Sequence, residues 1–136
     1  MLKREVVNPK GMAPPFAPYS LGIKAGNLIF THGVMPLDAS GKVVGVGNVA
    51  LQTERVIKNL QTLIEEAGGN LGDIVMVQVF LTDFRNYDLM NQVYAKYFAD
   101  EPPARYTVAC GLCKPELLVE MAAIAFIDEP SPGEAF

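Results

Sequence analysis

Between residues 51 and 67 the apolar side chains Val56, Ile57, Leu60, Leu63, Ile64 and Ala67 recur three and four positions apart. That spacing gathers them on one face of an α-helix, and Gly68-Gly69 follows as a left-handed stop. A helix over Leu51–Ala67 is predicted. Ile74 to Phe84 is patterned differently, as a nearly unbroken run of Val, Ile, Met, Leu and Phe, the mark of a central strand covered on both faces. A second helical stripe of Leu89, Met90, Val93, Tyr94, Tyr97 and Phe98 predicts a helix from Asp88 to Phe98. Pro102-Pro103 blocks its continuation and releases Ala104–Ala109 as a strand, with Leu117–Ile127 as the last one.

Upstream, Leu21–Lys24 and Leu28–His32 flank Ala25-Gly26-Asn27 and read as a hairpin whose second strand ends at His32. Asp38-Ala39-Ser40-Gly41 is a further turn. Pro9, Pro14 and Pro18 keep the first stretch out of a helix, with a short strand over Lys3–Val6, and the tail from Pro130 reads as loose. Strand, helix, strand, helix, strand supports two crossover units, whereas the last connection is shorter than a parallel return requires. The final two strands should therefore be antiparallel if they pair. The expected architecture is α+β: one domain over residues 1–136, a mixed sheet with two helices on one face. Its other face would need a partner.

Composition narrows the function. Of 136 residues half are hydrophobic and only 19% charged, which argues against disorder and allows for a subunit interface. Eleven basic against fifteen acidic residues give a net charge of −4 without a Lys/Arg run, so a nucleic-acid partner lacks its electrostatic footprint. No apolar stretch approaches membrane-spanning length and Met1–Glu5 leads into polar residues, so a cytoplasmic protein with no membrane partner is expected. Cys110 and Cys113 are the only cysteines, too few for a disulfide scaffold.

Glu120 stands out because it interrupts Leu117-Leu118-Val119 and Met121-Ala122-Ala123-Ile124. A buried carboxylate needs a cation, a proton or a wet cavity; alternation could instead point it to solvent at a sheet edge. Arg105 opens the preceding strand, and a simple hairpin would set it opposite Glu120. It could hold a substrate carboxylate in a two-pronged hydrogen bond or form an ordinary cross-strand ion pair. His32, the only histidine, sits before Gly33 and could shuttle protons near neutrality or serve structurally. Tyr19 and Asn91 add a hydroxyl and an amide. Cys110-Gly111-Leu112-Cys113 has the C-x-x-C spacing, but a strand follows it rather than a helix, and zinc wants four ligands; the cysteines read as a small apolar residue and a turn residue. Gly45-Val46-Gly47-Asn48-Val49-Ala50 fits a dinucleotide pattern only formally, and turn glycines before an Asn cap explain it better.

Pro103-Ala104-Arg105, Gly111-Leu112, Lys114-Pro115 and Leu118-Val119-Glu120-Met121-Ala122-Ala123-Ile124-Ala125 together resemble the signature of the Rid family of reactive-intermediate deaminases. Ala17-Pro18-Tyr19-Ser20, Phe30-Thr31-His32-Gly33, Gln52-Thr53, Ala67-Gly68-Gly69 and Asn91-Gln92-Val93-Tyr94 extend the likeness over nearly the whole chain, nearest the RutC-like branch that deaminates aminoacrylate. The resemblance implies a chorismate-mutase-like fold and a homotrimer with active sites between subunits. It implies a hydrolytic deaminase of 2-aminoacrylate- or 3-aminoacrylate-type enamines or imines, releasing ammonia and a keto or aldehyde acid, with no metal and no organic cofactor. Arg105 would bind the substrate carboxylate and Glu120 would position or activate water, with help from Thr107. Tyr19, His32, Gly33 and Asn91 fall at pocket positions. Two residues depart from the family pattern: His32 replaces the usual Ser, and Thr107 the usual Cys. The alternative is a module that binds small carboxylates without turnover.

Overall fold

The structure, a computed structural model, describes residues 3–128. Six strands form one sheet: β1 (Arg4–Val7), β2 (Gly22–Ala25), β3 (Leu28–Thr31), β4 (Ile74–Leu81), β5 (Ala104–Ala109) and β6 (Val119–Phe126). Their order is β1-β2-β3-β6-β4-β5, with β4 and β5 parallel and every other pair antiparallel. Two helices, α1 (Val49–Glu66) and α2 (Tyr87–Phe98), lie on one face. The tail from Pro130 lies outside the described residues. Among the described residues no helix is long and apolar enough to cross a membrane.

Local chemistry explains most of these boundaries. The Asn48 side chain accepts a hydrogen bond from the Leu51 amide and starts α1 two residues before the expected position. Its end is a Schellman arrangement: the Gly69 amide donates to the Ile64 carbonyl at 2.9 Å and Gly68, at φ +100°, donates to Glu65 at 3.0 Å. The buried stripe Val56, Ile57, Leu60, Leu63 and Ile64 packs with Val77, Val79 and Leu81 of β4 and Val119, Met121 and Ala123 of β6. Gln52, fully buried in α1, ties the helix to the loops around it. Its amide donates to the carbonyls of Gly45 and Glu116, and its oxygen accepts from the Leu118 amide at 2.8 Å. That bond fixes the entry into β6.

Two expectations are corrected. The run Ile74–Phe84 is not one strand buried on both faces. It ends at Leu81, Asp83 caps a turn of 3-10 helix over Phe84–Asn86, and burial along β4 alternates, with Val75 49% exposed. Both faces are apolar, but only one is covered. The last two strands do not pair. β6 enters the slot between β3 and β4, where both of its edges find hydrogen-bonding partners, and leaves β5 at the sheet edge. Arg105 consequently lies beside Val77 and Glu120 beside Phe80, so they are not cross-strand neighbours. Cys110 and Cys113 are exposed free thiols.

The crossovers themselves are as expected. β4-α2-β5 is a parallel unit, and β3-α1-β4 is a second one into which β6 has been inserted. The face away from the helices exposes Phe30, Tyr106, Val108 and Phe126.

Candidate functional site

Side-chain alternation places the two charged candidates on opposite faces of the sheet. Arg105 and Thr107 pair with Val77 and Val79, whose side chains are in the helix-covered core, so they point to the helix side. Glu120 pairs with Phe80, on the open side. Each sits in its own cleft.

The helix-side cleft, about 640 Å³, is lined by Phe84, Tyr87, Arg105, Tyr106 and Thr107. The Arg105 guanidinium lies over the Tyr94 ring, 4.7 Å from its centroid, and its Nη2 donates to the Tyr87 hydroxyl at 3.2 Å. It has no carboxylate partner, since Arg85–Asp83 is the only ion pair among the described residues. The Thr107 Oγ1 and the Tyr94 hydroxyl are both buried without a hydrogen-bond partner. Burial pushes the Tyr94 phenol further above neutrality, against the opposing charge of Arg105, and keeps it protonated. Asn91 falls one helical turn after Tyr87, on the same face of α2. Tyr87 and Tyr94 were not singled out from sequence. The spacing of Tyr87, Asn91 and Tyr94, four and then three apart, was the available signal.

The open-side cleft, about 880 Å³, brings together Tyr19, His32, Gly33 and Glu120, walled by Phe16 and Leu112 among others. A bulge builds it. β3 pairs with β6 through Phe30 opposite Ile124, and pairing resumes with Val34 opposite Met121, so three residues on one strand face two on the other. The Thr31 hydroxyl accepts from the Ala123 amide at 2.9 Å and donates to the His32 carbonyl, replacing the missing ladder bonds. His32 then stacks on Tyr19, with ring centroids 5.5 Å apart. Its Nε2 is buried without a partner, and burial lowers its pKa to about 4, so it is neutral at pH 7. The Glu120 carboxylate packs on Gly33 so closely that a Cβ there would lie 2.9 Å from Cδ. Only glycine fits. Partial burial raises the Glu120 pKa, and it forms no ion pair among the described residues. No group of three or more metal-ligating side chains gathers among the described residues.

Six of the seven sequence-predicted site residues thus line one of two clefts, Arg105 and Thr107 on the helix side and Tyr19, His32, Gly33 and Glu120 on the open side, while Asn91 lies on α2 and lines neither. A single chain does not bring the two sets together.

Residues 10–127 match the family described as endoribonuclease L-PSP. A protein named 3-aminoacrylate deaminase RutC, from Acinetobacter baylyi, is 42% identical over 126 residues, covering 93% of this chain and all of that one. The Yersinia pestis structure titled as the conserved Rid family protein YyfA has a TM-score of 0.84 and 29% identity, over 92% of this chain and 100% of that one. The chain belongs to the Rid family. A further solved relative, Escherichia coli TdcF with bound serine, matches with a TM-score of 0.83 and 25% identity, over 90% of this chain and 98% of that one. The α+β architecture of a six-stranded sheet carrying two helices is that of these relatives.

Proposed function

We propose that the protein is a hydrolytic deaminase of small enamine or imine carboxylates, with its active site completed by a second copy of the chain in a homotrimer. The observation that carries this reading is a complementary pair of unmatched charges. Among the described residues Arg105 in one cleft has no anion, and Glu120 in the other has no cation. A half-buried charge without a partner costs stability, so the arrangement makes sense when each meets something from outside the chain. Joining the Arg105 cleft of one copy to the Glu120 cleft of the next would satisfy both around a molecule bearing a carboxylate and an imino nitrogen. The apolar sheet face, with Phe30, Tyr106, Val108 and Phe126 exposed, supplies a surface such an assembly would bury.

In this reading Arg105 takes the carboxylate in a bidentate hydrogen bond. Thr107, whose Oγ1 has no other partner, donates beside it. Tyr19, the Gly33 backbone and neutral His32 line the opposite wall. An enamine first takes a proton on carbon and gives one up from nitrogen to become the imine. Water oriented by Glu120 then adds to the C=N carbon and passes a proton to nitrogen. As the C–N bond breaks, the added oxygen becomes the carbonyl and ammonia departs, so one water is consumed per ammonia released. The raised pKa of Glu120 brings it closer to the range where a carboxyl exchanges protons readily. No metal or organic cofactor is needed, because the imine is already electrophilic. The relative named 3-aminoacrylate deaminase and the relative with bound serine both fit a small amino- or imino-acid ligand. The net charge of −4 and the lack of a Lys/Arg run favour such a ligand over nucleic acid.

The test is subunit complementation. Arg105→Ala and Glu120→Gln chains, each inactive alone in ammonia release from freshly generated 2-aminoacrylate, are unfolded together and refolded as a mixture. If each site takes Arg105 from one copy and Glu120 from the next, random assembly restores about a quarter of the sites. No recovery, with mixed trimers shown by native mass spectrometry, would sink the shared site.

A further inference from the structure

We propose that Tyr94 and Tyr87 are positioning residues that fix the plane of the Arg105 guanidinium and leave one edge of it open to an incoming anion. The proposal rests on the carboxylate-binding role given to Arg105 above. An arginine on an edge strand ordinarily samples many rotamers, and freezing it on ligand binding costs side-chain entropy. Here the freezing is done in advance. The guanidinium carbon stands 4.7 Å from the Tyr94 ring centroid and 5.7 Å from that of Tyr87, while Nη2 donates to the Tyr87 hydroxyl.

The support differs from an ion pair in one decisive respect. A carboxylate would hold Arg105 equally well, but it would occupy the hydrogen-bonding edge and compete with the substrate. An aromatic face attracts the cation through its quadrupole and takes up none of the N–H donors. Tyr94 is suited to be the fixed member, being 6% exposed and packed on Phe98 at 4.5 Å between ring centroids. Tyr87, at the exposed start of α2, is the adjustable one. They are seven residues apart, two turns of one helix, so a single rigid element carries both. The planar group is essential to this device. A lysine ammonium has the charge but not the flat face or the fork.

Two readouts separate the positioning role from the function it serves. The first is the NMR order parameter of the Arg105 Nε–H in the free protein, which needs no ligand. It is expected near the rigid value of about 0.85 in the wild type, to fall below about 0.6 in Tyr94→Leu, and to stay high in Tyr94→Phe, which keeps the ring. The second is titration with pyruvate, the simplest 2-oxo acid. Its dissociation constant should weaken about tenfold in Tyr94→Leu, change under twofold in Tyr94→Phe, and be lost in Arg105→Lys as in Arg105→Ala. An Arg105 that stays rigid in Tyr94→Leu while the wild type binds pyruvate overturns the positioning role and leaves the carboxylate reading intact. A wild type that does not bind pyruvate although Arg105 loosens on cue overturns the carboxylate reading instead. If Tyr94→Leu does not fold, the exposed Tyr87→Ala carries the same measurement, with an unchanged order parameter again counting against the proposal.

Discussion

The two clefts solve opposite problems with opposite materials. On the helix side a cation is kept without a carboxylate among the described residues and held by two tyrosines, one of whose hydroxyls takes a single donor from Nη2. On the open side an anion is kept unpaired, seated against a glycine and partly desolvated, with a neutral histidine instead of a cation nearby. Arg105 is arranged to hold something, whereas Glu120 is arranged to exchange something. A permanently charged guanidinium gains from rigidity, and a carboxyl gains from a pKa brought closer to the working range. Substitutions on the two sides should therefore differ in kind as well as in size.

The largest effect is expected at Arg105. Arg105→Ala should lower kcat/KM for 2-aminoacrylate by at least about 100-fold, near 3 kcal/mol of lost transition-state binding. Much of it should appear in KM, because the carboxylate is held before and during the reaction. Steady-state ammonia release checks this. A variant retaining wild-type kcat/KM would erase the distinction between the two clefts, since nothing would then be held on the helix side.

Gly33→Ala acts on the other side without replacing a titratable group. The new methyl would lie 2.9 Å from the Glu120 Cδ and closer still to its carboxylate oxygen, so the side chain must swing into the cleft. The expected result is a fall in kcat of about tenfold to 100-fold with KM little changed, because a misplaced proton-handling group damages the step and not the hold. A comparable rise in KM would blur the contrast.

How much of this arrangement was legible in the chain depends on how local the cause is. The α1 stripe, its glycine stop, the Gly26-Asn27 hairpin and the β5 boundaries all follow from contacts within a few residues, and each stands where the pattern put it. The insertion of β6 between β3 and β4 follows from hydrogen-bond pairing between residues 38 to 98 positions apart, which no local pattern encodes. Because that pairing sets the register, Arg105 and Glu120 could be recognised as unusual residues but not assigned to faces. β4 misled for a related reason. Met76 and Phe80 make its open side nearly as apolar as its buried one, so alternation in burial is invisible in composition. Tyr94 was hidden by its success as a core residue, since a helical apolar stripe gives no hint that one ring also carries a guanidinium.

Glu120→Gln sharpens the comparison through stability. Its folded-state pKa is raised, so folding favours the protonated carboxyl, and that contribution is present at low pH and lost as pH rises through the folded value. At pH 7 the ionised side chain is therefore a liability that glutamine removes. Glu120→Gln should melt a few degrees higher than wild type at pH 7, roughly 1–3 °C given the solvent that still reaches the group. At pH 4 the difference should vanish. Differential scanning calorimetry at the two pH values decides it, and a lower melting temperature at pH 7 would mean that Glu120 has a stabilising partner. The same variant should lose most of its kcat, which gives the pairing of lost activity with gained stability expected where a charge is kept for chemistry.

The smallest effect belongs to His32. With its pKa lowered to about 4, it carries no proton between pH 6 and 8 in the folded protein, so the pH–rate profile over that range should be the same in wild type and His32→Ser. A shift in the profile would show that His32 titrates there and handles protons. Stability should tell the two apart only in acid. The unfolded chain takes up a proton near pH 6.5 while the folded one resists until about 4, so the wild type loses stability as pH falls through that window. The loss is bounded at about 3 kcal/mol and is smaller to the extent that water reaches the ring. His32→Ser has no such group and should melt with a shallower dependence between pH 6.5 and 4. Equal slopes would place His32 in a solvated setting and remove the difference in polarity on which the open-side cleft depends.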